Sequence, residues 1–375
     1  MKVRIDKGAL ITPLYRAQGV IDRKASTNVL ACVHMVAGDG GLTFTATDYD
    51  VTMTADVSAE VLEPGAALVN GRALFDVVRA LPDGVDVLMT CDDSHRIRIE
   101  AGRAYYHLNG LAPEEFPDVV EEGTGKRLHL DKEEVSGMLR RTLFSVSADE
   151  SRPALNGVLL EIEPAGPTQA LLRMVSTDGH RLSRVERTVE ATDYDGSSYR
   201  CIVHRRGAAE LQRIFEGSDL GVVIEFLGRN VVFSSDHARL QVRQIEEAFP
   251  EYQRVIPDRG DASVSLSKTA LVNAIRRVSS LASGKHNLLR MDLEPGRISL
   301  EMVHADFGDA HEEIEVPEYE GHNVSVGFNP RYLMDVCGVL DVETVTLEMS
   351  DQFSPCLINA EDEQGSTFVV MPMRL

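Results

Sequence analysis

The sequence repeats one pattern three times, and this repetition constrains the fold more than any other feature. The first set of matching segments has a lysine followed nine positions later by an arginine. Apolar residues recur between them at spacings of three and four, which is typical of an amphipathic helix. The segments are DKGALITPLYRA (6–17), DKEEVSGMLRRT (131–142) and SKTALVNAIRRV (267–278). Each repeat is therefore predicted to open with a helix.

A second set of matching segments follows further along each repeat. In each one an arginine precedes an acidic residue by four positions, a spacing that places both side chains on one helical face. The segments are RALFDVVRAL (72–81), RGAAELQRIF (206–215) and RYLMDVCGVL (331–340). One repeat thus contains two helices and spans about a third of the chain.

The stretches between the helices alternate polar and apolar residues or are rich in β-branched residues, as strands are. Two of their turns, CDDS (91–94) and LGRN (227–230), provide Gly, Asn or Asp where a hairpin needs a positive φ. Strand meanders combined with two helices predict an α+β fold in which each repeat packs its helices on antiparallel sheet.

The repeats also end on similar phrases, APEEFPDVV (112–120) and EEAFPEYQRVIP (246–257). Polar, glycine-containing segments follow both phrases, as at many domain boundaries. We therefore predict three similar domains, at residues 1–125, 126–257 and 258–375.

The composition is that of a soluble globular protein, with 43% hydrophobic and 26% charged residues. No apolar run approaches the ~18 residues that a membrane span needs. The N-terminal segment lacks the apolar core of a secretory signal. We expect a cytoplasmic protein without a membrane partner.

The residues that bind metals or form disulfides are scattered. The five cysteines form no C-x-x-C pair, so reduced and mostly buried thiols are expected instead of disulfides or a zinc site. Asp48 and Asp50 share a strand face, but no third ligand stands at metal spacing. The sequence predicts no metal site and no cofactor.

The loop STDGHRL has the composition of a catalytic loop. Asp178 and His180 suggest a hydrolase built from repeats, although the neighbouring sequence offers no nucleophile or relay. The pair Thr177 and Asp178 recurs as Thr47 and Asp48 at the same stage of the first repeat, which favours a structural turn. We expect no catalytic residue here, and the hydrolase stays an alternative.

The charge distribution is uneven. A net charge of −21 argues against a nucleic-acid partner, because phosphates bind Lys and Arg. The predicted helical segments together carry +7, which leaves −28 for the rest of the chain. Basic helices in an acidic chain predict DNA binding on one face. Aromatic residues are few, so contacts to phosphates are expected rather than stacking on single-stranded bases. The segments are 6–17, 70–81, 131–143, 204–215, 267–278 and 329–340.

Four phrases in order carry a resemblance to a known family. They are LNG (155–157), TDGHRL (177–182), FPEYQRVIP (249–257) and VVMPMRL (369–375). With them the chain resembles, over essentially its whole length, the bacterial sliding clamps, the beta subunits of DNA polymerase III. The resemblance implies a DNA-clamp fold of three similar domains and a six-domain ring formed by a head-to-tail homodimer. It also implies a non-enzymatic processivity factor that encircles duplex DNA without sequence specificity.

The resemblance further implies a pocket that binds short peptide motifs of partner proteins. The expected partners are the DNA polymerase III catalytic subunit, the clamp loader, and other polymerases and repair proteins. The pocket would mix apolar side chains with groups that orient a peptide. Its residues would be Leu155, Thr177, Gly179, His180, Arg181, Leu182, Pro250, Arg254, Val255, Val369, Val370, Met371, Pro372, Met373, Arg374 and Leu375.

Other positions are expected to contact DNA or a second copy: the resemblance gives Lys24 and the dimer positions, and the basic helices give the arginines. Tyr106, Leu108 and Leu281 would lie at the dimer interface, and His286 would lie near the peptide pocket. Some of the DNA-binding candidates are expected to pair with acids or face the core instead. Those candidates are Lys24, Arg72, Arg79, Arg140, Arg141, Arg205, Arg206, Arg213, Arg276 and Arg277.

The sequence leaves two further points open. Pro153 and Ala154 occupy loop positions where some members of the family have DNA-contacting tyrosines. A peptide-binding scaffold that forms no ring stays an alternative to the clamp.

Overall fold

A computed structural model of the chain describes residues 1–21, 29–119, 126–191, 194–215, 221–236, 238–258, 260–281, 287–360 and 365–375. Lys24 and His286 lie outside the described residues, as does the side chain of Leu281. Within the described ranges the fold contains six α-helices and 25 β-strands. No helix in this part of the chain is long and apolar enough to span a membrane.

The α-helices lie where the repeated segments predict them, two to a repeat. They are α1 (Lys7–Ala17), α2 (Gly71–Ala80), α3 (Lys132–Leu143), α4 (Arg205–Phe215), α5 (Lys268–Val278) and α6 (Pro330–Val339). The prediction that each repeat opens with a helix is wrong, because a short strand comes first in every repeat, over Lys2–Asp6, Lys126–Leu130 and Ala262–Ser267.

The first helix of each repeat begins after a residue that caps it. The side chains of Asp6, Asp131 and Ser267 each accept a hydrogen bond from a backbone N–H of the first helical turn. Such caps satisfy donors that have no partner inside the helix.

The repeated lysine joins the two helices of its repeat. Nζ of Lys7 donates a hydrogen bond to the carbonyl of Leu81, which directly follows α2. Nζ of Lys268 donates to the carbonyl of Leu340, which directly follows α6, at 2.6 Å. A cation at the carbonyl end of a helix is favourable, so this lysine has a structural role in the first and third repeats.

The strands are numbered along the chain. They are β1 (Lys2–Asp6), β2 (Cys32–Gly38), β3 (Gly41–Thr47), β4 (Val51–Val57), β5 (Glu60–Glu63), β6 (Gly65–Asn70), β7 (Asp86–Cys91), β8 (Arg96–Ala101), β9 (Ala104–Leu111), β10 (Lys126–Leu130), β11 (Gly157–Pro164), β12 (Gln169–Thr177), β13 (Arg181–Glu190), β14 (Tyr199–His204), β15 (Val222–Leu227), β16 (Asn230–Ser235), β17 (Ala238–Arg243), β18 (Ala262–Ser267), β19 (Leu289–Glu294), β20 (Gly296–His304), β21 (Gly308–Val316), β22 (Val324–Phe328), β23 (Thr344–Met349), β24 (Cys356–Asn359) and β25 (Ser366–Val370).

The chain forms two compact units. Unit 1 comprises Met1–Ser136, Glu190–Ser197 and Arg206–Gln244. Its strands form one sheet in the order β10-β15-β16-β17-β4-β3-β2-β6-β9-β8-β7-β1-β5. The described pairings in this sheet are antiparallel.

Unit 2 comprises Gly137–Val189, Ser198–Arg205 and Ile245–Leu375. It contains an eight-stranded sheet in the order β14-β11-β12-β13-β25-β24-β23-β18 and a four-stranded sheet in the order β21-β20-β19-β22. Helices α5 and α6 bury Leu271 and Leu333 in one apolar cluster with Phe328 and Phe368. This is the predicted α+β packing of helices on antiparallel sheet.

The sheets continue from one repeat into the next. Strand β17 of the second repeat pairs with β4 of the first, with Leu240 opposite Met53. Strand β13 of the second repeat pairs with β25 of the third, with Leu182 opposite Val369. The two compact units therefore divide the second repeat, and the boundaries after residues 125 and 257 stay a prediction drawn from the repeats.

The cysteines agree with the expectation of reduced, buried thiols. All five are free, and Cys32, Cys201, Cys337 and Cys356 are buried while Cys91 is half-buried. Burial raises the pKa of Cys201 and Cys356 to about 12. Neutral thiols of this kind are poor nucleophiles.

Both hairpin turns form, but only one uses the residue type that the sequence suggests. Gly228 has a φ of 55°, as expected for LGRN. In the turn after β7 the positive φ, 60°, belongs to His95. The Asp92 side chain instead accepts hydrogen bonds from the N–H groups of Ser94 and Arg96. Aspartate closes this turn through its carboxylate, a role that aspartate often has in turns.

Candidate functional site

The candidate peptide site lies in unit 2 at one end of the eight-stranded sheet. Strand β13 begins there at Arg181, opposite Val370 at the end of β25. Leu182 and Val369 are buried in an apolar cluster with Tyr252 and neighbouring residues. These buried side chains form the base of the site. Val370 is buried in a second apolar cluster, which contains Phe328 and Phe368.

The loop before β13 is a hydrogen-bonded turn. Thr177 Oγ1 donates to the Arg181 carbonyl at 2.7 Å and accepts from the Gly179 N–H at 3.1 Å. Asp178 Oδ1 accepts from the N–H groups of His180 and Arg181 at 2.9 and 3.0 Å. Gly179 has a φ of 89°, in the left-handed region that glycine adopts without strain.

The first repeat builds the same turn with Thr47 and Asp48. Thr47 Oγ1 donates to the Val51 carbonyl at 3.2 Å and accepts from the Tyr49 N–H at 3.1 Å. Asp48 Oδ1 accepts from the N–H groups of Asp50 and Val51 at 3.1 and 2.7 Å. The prediction of a structural Thr-Asp turn is therefore confirmed in both repeats.

Asp178 and His180 are not arranged as an acid-base pair. The second oxygen of Asp178 accepts from Nε of Arg181 at 3.1 Å, so the carboxylate is fully engaged in holding the loop. The exposed His180 ring stacks on the ring of Tyr332, with centroids 6.1 Å apart. Across the described ranges no three side chains of His, Cys, Asp or Glu come together as metal ligands.

Arg181 is a structural centre of the site wall. Its guanidinium contacts Asp335 on α6 at 2.5 Å and donates to the carbonyl of Phe144 at 2.6 Å. The same group lies over the rings of Phe144 and Tyr332, 5.2 and 4.7 Å from their centroids. Cation–π contacts and charged hydrogen bonds together fix the orientation of this side chain.

The C-terminal segment is held on both sides. The Met371 N–H donates to the carbonyl of His180 at 2.8 Å, and the Met373 N–H donates to the carbonyl of Gly327 at 2.7 Å. Met371 and Pro372 are half-buried, whereas Met373 and Leu375 expose 36% and 52% of their surface. The result is an ordered apolar surface beside the Thr-Asp turn.

A second wall comes from the segment around Tyr252. A short 3-10 helix spans Tyr252–Val255, and its first N–H donates to the carbonyl of Pro250 at 2.7 Å. Arg254 is exposed and contacts Glu251 at 2.5 Å, and Val255 is half-buried. The salt bridge between Arg254 and Glu251 is therefore on the surface, where a ligand can replace Glu251 at little cost.

Leu155 completes the set of residues expected at the peptide site. It is buried, and its carbonyl accepts a hydrogen bond from the Ser147 N–H at 3.0 Å. Arg152, three residues before it, is close enough to Gly179 that an added Cβ there would lie 2.7 Å from the guanidinium. The loop around Leu155 therefore packs next to the Thr-Asp turn, and every residue expected in the pocket belongs to unit 2.

A buried polar network anchors this second wall. The Tyr252 hydroxyl donates to Glu161 at 2.8 Å, and Glu161 also contacts Arg173 at 3.1 Å. Burial, followed by the hydrogen bond to Glu161, raises the pKa of Tyr252 to about 12. Burial acts to raise the pKa of Glu186, but hydrogen bonds from Arg184 and Arg173 leave that pKa lowered. The lowered pKa keeps the Glu186 carboxylate ionised beside Arg173 and Arg184.

The structure adds residues that the sequence reasoning missed. Tyr332 and Asp335 lie on α6 in the repeated segment RYLMDV, where the i,i+4 pattern marked a helix but not its contact with Arg181. Phe353 lies in the turn before β24, whose first residue, Cys356, pairs with Val370 at the site end of the sheet. This ring is 73% exposed, and no pattern in the sequence distinguishes it.

The DNA-binding candidates of unit 1 differ in their exposure and in the contacts they already make. Arg72 and Arg79 on α2 expose 69% and 67% of their side chains. Arg213 on α4 is less exposed and contacts Glu210 at 3.0 Å. Arg206 is bonded to Asp48 and to backbone carbonyls after α1, so it supports the first-repeat turn.

The candidates of unit 2 show the same variety. Arg277 makes a bidentate contact with Glu312, with both distances 2.9 Å, and Arg140 contacts Asp341 at 2.5 Å. Arg276 on α5 is exposed. The other two candidates have longer contacts: Arg141 donates to the Gly137 carbonyl at 3.2 Å and Arg205 lies 3.9 Å from Glu150.

The residues expected at the dimer interface lie on a partly open strand. In the described part of the chain, β6 pairs with β9 at Leu111 and Gly110. The β9 residues from Ala104 to Leu108 therefore keep one open side. Tyr106 and Leu108 lie on this stretch and are half-buried.

Comparison with known proteins gives a consistent result. Models of the DNA polymerase III beta subunit match the chain with the N-terminal domain at residues 1–120, the central domain at 129–251 and the C-terminal domain at 253–374. The beta sliding clamps of Caulobacter vibrioides and Pseudomonas putida are each 33% identical to the chain, over 100% of both proteins.

Solved structures agree with these matches. The sliding clamp of Bartonella birtlesii bound to griselimycin superposes with a TM-score of 0.94 at 29% identity, covering 100% of each chain. A Caulobacter crescentus beta sliding clamp gives 0.92 at 32% identity, covering 100% of this chain and 99% of that one. The chain therefore belongs to the DNA polymerase III beta subunit family, the beta sliding clamps.

Proposed function

We propose that two copies of this chain close into a ring around duplex DNA and dock replication and repair proteins through the site at the end of the eight-stranded sheet. The chain is a sliding clamp by family, and its α+β domains are those of a DNA-clamp fold. The partners are the DNA polymerase III catalytic subunit, the clamp loader, and other polymerases and repair proteins that carry a clamp-binding motif.

One observation carries the docking proposal: an apolar C-terminus is ordered against the Thr-Asp turn. Chain ends usually fray, but here Met371 and Met373 are hydrogen-bonded to separate elements. Exposed methionine side chains adapt to different ligands because the thioether chain is flexible and polarizable. A surface of this kind suits one site that accepts several peptides.

The dimer proposal is supported by two complementary strands. The open stretch of β9 follows a hairpin that carries Arg96, Arg98 and Arg103. Strand β21 is the outer strand of its sheet and carries Glu313 and Glu315 among several acids. An open strand edge invites pairing with another chain, and opposite charges select the partner. Pairing of β9 in one copy with β21 in another would join the copies head to tail.

The DNA proposal needs only phosphate contacts. Exposed arginines such as Arg72, Arg79 and Arg276 attract phosphates without reading sequence. A ring held on DNA by its topology needs no strong individual contact, so weak and salt-sensitive contacts are sufficient.

The decisive experiment compares closed and linear DNA. Clamps loaded by their cognate loader on a nicked circular plasmid should stay bound during gel filtration and should run off after the plasmid is linearised. Equal retention on both forms would exclude encirclement. A monomer by light scattering at micromolar concentration would favour the peptide-binding scaffold that forms no ring.

A further inference from the structure

A cavity of about 350 Å³ lies between helices α1, α2 and α4 of unit 1. Its lining combines aromatic rings with guanidinium groups and is unlike the phosphate-contacting surface that the sequence suggests. The lining residues are Tyr15, Gln18, Arg72, Phe75, Asp76, Arg79 and Arg213.

The rings and two of the arginines form a continuous ladder. Tyr15 and Phe75 have centroids 6.4 Å apart. Arg79 lies over Phe75 at 5.4 Å, and Arg213 lies over Tyr15 at 5.6 Å. Tyr15 is 41% exposed although it is large and aromatic. A stacked guanidinium contacts the ring with its face and directs its N–H donors outward from its edge, so the ladder presents flat surfaces and directed donors together. Arg79 uses one of these donors on Asp76 and Arg213 uses one on Glu210.

The charge of the lining favours an anion. The lining has three arginines and one carboxylate, Asp76, which lies 3.8 Å from Arg72 and 3.1 Å from Arg79. Arg213 also contacts Glu210 at 3.0 Å, so three cations face two carboxylates. Arg72, Arg79 and Asp76 are exposed, and exposed salt bridges are weak enough for a competing anion to displace them. The Gln18 amide nitrogen is already used, since it donates to the backbone carbonyls of Leu14 and Gly71.

A ligand that satisfies both features has a flat aromatic part and a negative charge. Among the components of a replication fork, a nucleotide has both, and the cavity is within the size class of small-ligand sites, roughly 300–1,000 Å³. Alternating aromatic and basic side chains are also the means by which proteins hold unpaired bases and their phosphates.

We propose that this cavity binds one nucleotide of single-stranded DNA, with the base against Tyr15 and Phe75 and the phosphate at Arg72, Arg79 or Arg213. The proposal rests on the proposed function only in that a clamp works where single-stranded DNA is present. It goes beyond that function because encirclement of a duplex requires no contact to a base. Free nucleotides share the same chemistry, and the experiment separates the two sources.

The test is fluorescence anisotropy with a labelled twelve-nucleotide oligo-dT at low salt. The wild-type protein should bind it, and Tyr15→Leu with Phe75→Leu should weaken binding by about 5- to 100-fold, the range for loss of base stacking. Tyr49→Leu, which changes an exposed tyrosine of unit 1 outside the cavity, is the matched control. Circular dichroism establishes that each variant is folded.

Competitors distinguish the ligand. An unlabelled oligo-dT should displace the probe, an abasic oligomer of equal length should displace it at least tenfold less well, and thymidine monophosphate should require far higher concentration. Equal competition by the abasic oligomer would reduce the site to a phosphate contact and overturn the proposal. Stronger competition by the free monophosphate would assign the cavity to a free nucleotide and overturn the single-stranded DNA source.

The outcome is independent of the ring. The double variant should still be retained on circular duplex DNA and lost from linear DNA. If wild type is retained on the circle but does not bind oligo-dT, the cavity proposal is wrong and the clamp function stands. If oligo-dT binding is intact and retention is absent, the proposed function is wrong and the cavity remains.

Discussion

Tyr252 shows how one hydroxyl can support a surface that binds partners. It is buried, it donates to Glu161, and it begins the 3-10 helix that presents Arg254 and Val255. Without this donor the buried Glu161 would lose a hydrogen bond in an environment where water does not replace it.

Replacement of Tyr252 tests this role. Tyr252→Phe should lower the free energy of unfolding by about 1–2 kcal/mol, because it leaves Glu161 with one donor fewer. Urea denaturation at pH 7.5 measures the change, and Tyr49→Phe, an exposed tyrosine, is the control. A change within a few tenths of a kcal/mol of the control would show that the hydroxyl does not hold the network.

The raised pKa of Tyr252 gives the same residue a pH signature. Its folded pKa of about 12 lies above the usual 10, so the folded state holds this proton more tightly than the unfolded state. The contribution is complete below pH 10 and is lost as pH rises toward 12. Cys201 and Cys356 act in the same direction from an ordinary value of 9.

Wild-type stability should therefore fall between pH 10 and pH 11.5, where Tyr252 and the buried thiols all contribute, by at most about 1.4 kcal/mol per pH unit for each group. Tyr252→Phe should show a shallower decrease, since one of the groups with a raised pKa is absent. Urea titrations at the two pH values measure both slopes. Parallel slopes for the two proteins would mean that the phenol does not titrate differently in the folded state.

At the scale of elements, the helices were predictable and the joining of the sheets was not. The repeated lysine and arginine spacing placed each helix to within about a residue, because amphipathic period and capping residues are both local signals. The pairing of β17 with β4 and of β13 with β25 depends on register between distant strands, which no local pattern encodes.

Some residues of the candidate site could be predicted from the sequence, and others could not. Thr177, His180 and the terminal segment could be identified from motifs that resemble a known family. Tyr332 and Phe353 could not, because Tyr332 contacts His180 from α6 and Phe353 lies in the turn before the strand that pairs with Val370. Their position near the site depends on how distant strands and helices are arranged, and the sequence did not predict that arrangement.

The C-terminal segment can be tested as an element. Deletion of residues 371–375 should weaken binding of a polymerase-type docking peptide by tenfold or more, about 1.4 kcal/mol, while Val369 and Val370 keep β25 in its sheet. Fluorescence anisotropy with a labelled peptide measures the affinity. His180→Ala combined with Met373→Ala should have the same direction of effect, and His322→Ala, an exposed histidine of the same unit, is the control. Unchanged affinity in both altered proteins would remove the peptide site from this end of the sheet.

At the scale of the whole molecule, the proposed homodimer depends on the open stretch of β9. Leu108→Glu should give a folded monomer, because it places a carboxylate opposite the acidic β21 of another copy. A charge at Leu281 should act likewise. Light scattering measures the mass, and Leu62→Glu, an exposed leucine on another edge strand, should leave the dimer intact. A Leu108→Glu dimer of unchanged stability would place the interface elsewhere.

The continuous hydrogen bonding of β13 with β25 has a consequence for how partners are recognised. Two repeats meet at the docking site, yet their strands share one ladder, from Arg181 opposite Val370 to Val185 opposite Ser366. Because the two repeats share this hydrogen-bonded ladder, one repeat cannot slide past the other to widen the docking site unless several backbone hydrogen bonds break at once. The partner peptide must therefore adopt the shape of the site, which costs it conformational entropy. Motifs that are already close to the bound shape should associate most tightly.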